Sequence, residues 1–114
     1  MPVVRDRRTA LAAGSVIANV MTGSEFERLP APARIRVAIA ADVSDDTADV
    51  SFGNVIQGTA ISVPLEPAVG VGPRLPEELL IDDMADAGDL ILVRLRTGVG
   101  AAGVIRTLVR IDFV

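Results

Sequence analysis

A chain of 114 residues with a formal net charge of -4 and a pI near 4.7 is one domain by length, has room for one modest core, and is too acidic to coat nucleic acid through its net charge. It contains no Cys and no His, which excludes disulfides, thiol nucleophiles and thiolate metal sites, and removes the usual neutral-pH acid–base catalyst and the commonest metal ligand. Trp and Tyr are absent too, so Phe26, Phe52 and Phe113 are the only rings on which a base or sugar could stack.

The opening MPVVRDRRTALAAGSVIANV has the outline of a signal peptide, with Arg5, Arg7 and Arg8 ahead of an Ala-rich stretch. Asp6 interrupts that basic region, and SVIANVMTG has the composition of a folded strand. The expectation is a flexible basic arm over residues 1–13 of an intracellular protein, followed by a single domain over residues 14–114. Short β-branched segments punctuated by Gly, Pro, Asn and Asp predict strands near residues 15–21, 34–41, 48–56, 59–63, 90–96 and 104–113. That is the pattern of an all-β antiparallel sandwich or barrel with at most one short helix. Ser24 and Glu27 have capping-box spacing, but the space available favours a turn. Pro30 and Pro32 in LPAPAR deny ladder donors and hold the chain extended before the second strand.

The connection PLEPAVGVGPRLP stands at the long end of the roughly 12 to 15 residues found without secondary structure, and loops of that length commonly reach a neighbour. Gly70 to Pro73 is its expected reaching element. After it, EELLIDDMADAGD reads as one or two helical turns opened by Pro76 and closed by Gly88, with ELLID as an alternative strand.

In the last two strands alternation places Ile91, Val93 and Leu95 opposite Arg94 and Arg96. It likewise separates Ile105, Thr107, Val109, Ile111 and Phe113 from Arg106, Arg110 and Asp112. A hairpin turning near Gly100 would set Arg94 opposite Arg106 and create one arginine face in need of anions. Arg34 and Arg36 form a similar stripe in ARIRVAIA. The charge runs basic, acidic, basic: residues 1–36 hold six Arg against three acids, residues 37–89 one Arg against eleven, and residues 90–114 four Arg against one. Such a distribution suits pairing within the chain or head-to-tail contact between identical subunits.

Half the residues are hydrophobic, 23% are charged and the mean hydropathy is +0.46, yet no apolar run approaches the ~18 residues needed to cross a bilayer. Surplus apolar surface on so small a domain points to self-association or a protein partner. Guanidinium forks pair well with carboxylates, so an acidic protein surface suits the arginines better than nucleic acid does. The interface set read from these patterns is Arg5, Arg7, Arg8, Arg34, Arg36, Arg94, Arg96, Arg106 and Arg110, with the ordinary solvent face of an antiparallel sheet as the equal alternative for the arginine stripes.

GVGAAG has the form of a GxGxxG fingerprint, but a strand follows it where a dinucleotide fold needs a helix, which makes it a turn. Asp42, Asp45, Asp46 and Asp49, and again Asp82, Asp83, Asp86 and Asp89, offer oxygen ligands for Ca²⁺ without the order of an EF-hand; solvated loops are the alternative. No metal or cofactor is expected. The segment DDTAD resembles the Asp-Thr-Gly-Ala-Asp signature of retroviral-type aspartic proteases, with the Gly missing and a polar lead-in. That resemblance would make Asp46 a dyad residue, whereas the composition favours no enzyme at all.

The segments SVIANVMTG, VSFGNVIQGTAISVP and AGDLILVRLRTGVGAAGVIRTLVRIDFV resemble the small β-barrel or jelly-roll structural proteins of virions, most of all the capsid decoration (cement) proteins of tailed bacteriophages. The resemblance implies a jelly-roll-like fold and a homo-oligomer, often a trimer, made in the host cytoplasm. It also implies a place on the capsid surface, bound to the major capsid protein. A single jelly-roll capsid or spike subunit is the alternative within the same class.

Overall fold

The computed structural model describes residues 3–11, 14–42, 46–65, 73, 78–98 and 103–114. The strands are β1 (Val3–Leu11), β2 (Val16–Ile17), β3 (Ala33–Ala41), β4 (Thr47–Phe52), β5 (Val55–Ser62), β6 (Leu79–Ala85), β7 (Ile91–Arg96) and β8 (Gly103–Phe113). They form two four-stranded antiparallel sheets, ordered β1-β8-β3-β6 and β2-β7-β4-β5, packed as a sandwich. The all-β expectation holds, and the two sheets stay open rather than closing into a barrel.

The pairing is nested: β1 runs beside β8, β2 beside β7, β3 beside β6 and β4 beside β5. One long hairpin rolled around a central core gives this order, and it is the eight-stranded jelly-roll arrangement. Alternation dictates what fills it. Ile35, Val37 and Ile39 of β3 with Ile105, Val109 and Ile111 of β8 meet Ile91, Val93 and Leu95 of β7 and Val50 and Phe52 of β4, all at most 1% exposed.

The loop between β2 and β3 closes one end of the core with Met21 and Leu29, both buried. It reads as a turn, as the sequence suggests: Glu27 N–H donates to the Ser24 carbonyl at 3.1 Å and Phe26 N–H to Ser24 Oγ at 3.1 Å. Where β2 stops after two residues, the buried Asn19 side chain continues the ladder along β7. Its Nδ2 donates to the Ile91 carbonyl at 3.1 Å, and its Oδ1 accepts from Val93 N–H at 3.1 Å and Met21 N–H at 3.0 Å.

Three expectations change, and one open alternative is decided. Residues Val3–Leu11, read as part of a flexible arm, are strand β1, because β8 offers a ladder from Arg110 to Gly103. The strand expected over residues 48–56 breaks at Gly53-Asn54 into β4 and β5. Gly53 adopts φ 59°, the left-handed value a two-residue hairpin turn of type II′ requires at its first position. EELLIDDMADAGD takes its strand alternative rather than the helical turns, as β6, since Leu79–Ala85 completes a sheet edge against β3; Gly88 closes the following turn at φ 86°.

The hairpin of β7 with β8 does not form. The two strands lie in different sheets, β7 between β2 and β4 and β8 between β1 and β3. Matching apolar faces on successive strands suit neighbours in one sheet and strands facing each other across a sandwich equally well. Here they meet across the core, so Arg94 and Arg106 point away from each other on opposite outer surfaces. The turn near Gly100, the residues Gly70 to Val71 and Gly72, and Pro76 lie outside the described residues.

Candidate protein-interaction surface

The arginines divide between the outer faces of the two sheets. On the β1-β8-β3-β6 face the register aligns Arg7 with Arg106 and Ala40, Arg5 with Leu108 and Ala38, Val3 with Arg110 and Arg36, and Asp112 with Arg34. Opposed arginines do occur, as the stripes suggest, but the pairs are Arg7 with Arg106 and Arg36 with Arg110. Opposite like charges destabilise a ladder unless counter-ions intervene.

At the β6 end the counter-ions are in place. Arg34 holds Asp82 in a bidentate pair, Nε to Oδ1 at 2.8 Å and Nη2 to Oδ2 at 2.6 Å. Arg36 donates to Asp112, and Arg110 Nε stands 3.6 Å from the same carboxylate. The hydrogen bond from Arg36 holds the Asp112 carboxyl below its ordinary pKa, helped by the charge of Arg110. The hydrogen bond from Arg34 does the same for Asp82. Of the second acidic segment, Asp82 thus serves the arginine face, whereas Asp89 accepts from Asp86 N–H within its own turn.

At the β1 end the guanidinium groups of Arg5 and Arg7 are open. Arg5 and Arg7 are exposed, and among the described residues they make no ion pair. Together with Asp6, Pro73, Arg106, Thr107 and Leu108 they line a groove of about 310 Å³. Pro73 brings the long connection to this groove, so the expected arm and the expected reaching loop converge there. Arg8, by contrast, lies on the other side of β1 and pairs with Asp6 at 3.0 Å.

The β2-β7-β4-β5 face carries Arg96, paired with Asp49 at 2.8 Å, and Arg94, which lies opposite Asp49 in the ladder and makes no ion pair among the described residues. Asp49 Oδ1 also accepts from Ala60 N–H at 2.7 Å. A second groove, of about 230 Å³, lies on this side between Asp49, Ile56, Thr59, Leu92 and Arg94.

The nine expected arginines are therefore not one surface. Arg34, Arg36, Arg96 and Arg8 are held by carboxylates of their own chain, Arg110 shares Asp112, Arg94 stands alone on the far sheet, and Arg5, Arg7 and Arg106 gather at the groove. The sequence reading missed the roles of Asp49 and Asp112. Asp112 was legible as a same-face neighbour two residues from Arg110, but its service to Arg36 depends on β3 lying beside β8.

Asp46 of DDTAD is buried, its Oδ1 accepting from Gly98 N–H at 3.1 Å and its carbonyl from Val63 N–H at 3.0 Å. Asp42 accepts from Val104 N–H at 2.8 Å, and Asp45 lies outside the described residues. Comparison with protein-family models, curated proteins and solved structures finds no match to this chain.

Proposed function

We propose that this chain is a structural virion protein, a capsid decoration protein that self-associates and binds the major capsid protein through its arginine groove. The observation that carries the reading is the nested jelly-roll strand order around a core packed with Val, Ile, Leu and Phe. Jelly rolls recur in viral capsid proteins, lectins and cupins. The composition weighs against the other two: cupin-type metal centres draw on His, and sugar sites on Trp and Tyr, all absent here. Fold alone assigns no function, but this chain's distinctive chemistry lies on its outer faces, as an assembly protein requires.

Arg5, Arg7 and Arg106 supply a local positive surface on an acidic protein. Guanidinium groups flanked by Pro73 and Leu108 favour carboxylates presented on another protein, with apolar contact beside them. The test is cosedimentation with preassembled shells of the cognate major capsid protein. The wild type is expected to pellet with the shells, and a variant with Arg5→Ser and Arg7→Ser to stay in the supernatant while remaining folded. Pelleting that is equal for both would remove the groove from the proposal. Closed particles formed by the chain alone would favour the shell-building subunit instead.

A further inference from the structure

The outer face of the β2-β7-β4-β5 sheet carries a trough along β4. In the ladder Ser51 stands between Leu92 of β7 and Ile56 of β5, so a small polar side chain is flanked by two larger apolar ones. Asp49, Thr59 and Arg94 complete the groove of about 230 Å³. Ile56 is 72% exposed, whereas Arg94 is half-buried.

Asp49 is the cross-strand neighbour of Arg94 and the nearest carboxylate in the ladder to neutralise it, but both its oxygens are committed elsewhere. Oδ2 pairs with Arg96 at 2.8 Å, and Oδ1 accepts from Ala60 N–H at 2.7 Å. A bulge in which Ala60 takes φ 51° presents that N–H, and bulges commonly re-aim groups beside functional sites. Among the described residues the Arg94 guanidinium therefore makes no ion pair and no hydrogen bond. A half-buried guanidinium with its donors unmet, at the wall of a groove, favours an anion there.

We propose that this groove binds a small monocarboxylate with an apolar body, its carboxylate on Arg94 and its hydrocarbon between Leu92 and Ile56. Charge selects the class. Arg94 and Arg96 against Asp49 leave a single positive charge, which suits a monoanion, and the Asp49 carboxylate lining the same groove repels a dianion such as phosphate. Ser51 and Thr59 add hydroxyl donors. Size selects within the class: the groove falls below the roughly 300 to 1,000 Å³ usual for ligand pockets, which limits the body to a short chain or a small ring. The site lies on the sheet opposite the groove of Arg5 and Arg7 and stands independently of the capsid reading.

Amide NMR spectra of the full chain, titrated with hexanoate, test it, with hexanol and inorganic phosphate as probes of the hydrocarbon and the charge alone. Hexanoate is expected to saturate with a Kd on the order of 1 mM and to shift the amides of Ser51, Ile56, Leu92 and Arg94. Hexanol and phosphate should each bind about 10-fold more weakly or worse, since each lacks one half of the recognition. Arg94→Gln should weaken hexanoate about 10-fold or more while the spectrum stays that of a folded protein. Arg94→Lys keeps the charge and loses the fork, so its affinity should fall between the two. Ile56→Ser removes an apolar wall at an exposed position and should weaken hexanoate without changing the affinity for phosphate. No saturable shift at these residues overturns the proposal, as does hexanoate binding that is equal in wild type and Arg94→Gln, or phosphate binding as tight as that of hexanoate.

Discussion

Arg36 and Arg110 are direct cross-strand partners in the β3–β8 ladder, and a single carboxylate, Asp112, serves both. Two guanidinium groups side by side are tolerable because the acid two residues further along β8 lies between their charges. Asp112→Asn should therefore destabilise the fold, and the loss should shrink as salt is added, since screening weakens the arginine repulsion that the variant leaves uncompensated. Urea unfolding at low and high ionic strength measures both effects.

The same pairs set an acid response. Asp112 and Asp82 have folded pKa values below their ordinary one, through hydrogen bonds from Arg36 and Arg34. A depressed carboxylate contributes its full stability above its unfolded pKa of about 4 and loses it as the pH falls through the lower folded value. Stability should thus be flat in this contribution at neutral pH and fall below about pH 4. The fall should be shallower in Asp112→Asn, which a series of unfolding curves against pH would show.

Much of this architecture was legible in the chain. Alternation in ILVRLR and VIRTLVRIDF identified which side chains point inward, and Pro30 and Pro32 marked where β3 begins. What alternation could not supply was the partner of each strand. Ile91, Val93 and Leu95 fit against Ile105, Val109 and Ile111 either beside them or across a core, and only the long-range pairing of β8 with β1 and β3 chooses. The arginine face was misassembled for that reason. The groove at Arg5, Arg7 and Arg106 was hidden further because Val3–Leu11 reads as a basic tail until β8 is available to pair with it.

Asn19 replaces a strand residue with a side chain. Its amide satisfies the Ile91 carbonyl and the Val93 and Met21 N–H groups from a buried position, so Asn19→Ala would strand backbone groups of a central strand without partners. A loss of about 1 to 3 kcal/mol or more is expected from the unsatisfied groups. Asn19→Asp should also destabilise, since a carboxylate cannot donate to the Ile91 carbonyl. Chemical denaturation of both variants tests this; a loss confined to Ala would mean that volume matters there and the hydrogen bonds do not.

Ala60 adopts φ 51°, the left-handed region, in the bulge of β5 opposite Asp49. An L-residue with a Cβ is strained there by roughly 1 to 2 kcal/mol, and glycine is not. Ala60→Gly should be neutral or stabilising despite the greater freedom of a glycine in the unfolded chain, whereas the same change at the regular position Ala48 should destabilise.

Thr107 is 2% exposed on the core face of β8, and its hydroxyl has no hydrogen-bond partner among the described residues. Its neighbours on that face, Ile105 and Val109, are fully buried hydrocarbons. An unsatisfied buried hydroxyl costs about 1 to 3 kcal/mol, and a methyl group of nearly the same size removes that cost while adding apolar contact. Thr107→Val is accordingly expected to raise stability by about 1 kcal/mol, and Thr107→Ser to lower it by removing a packed methyl. The pair separates two roles for the residue. If Thr107→Val instead destabilises while Thr107→Ser is tolerated, the hydroxyl has a partner in solution, and its place beside the groove of Arg5 and Arg7 makes that groove the first place to look for it.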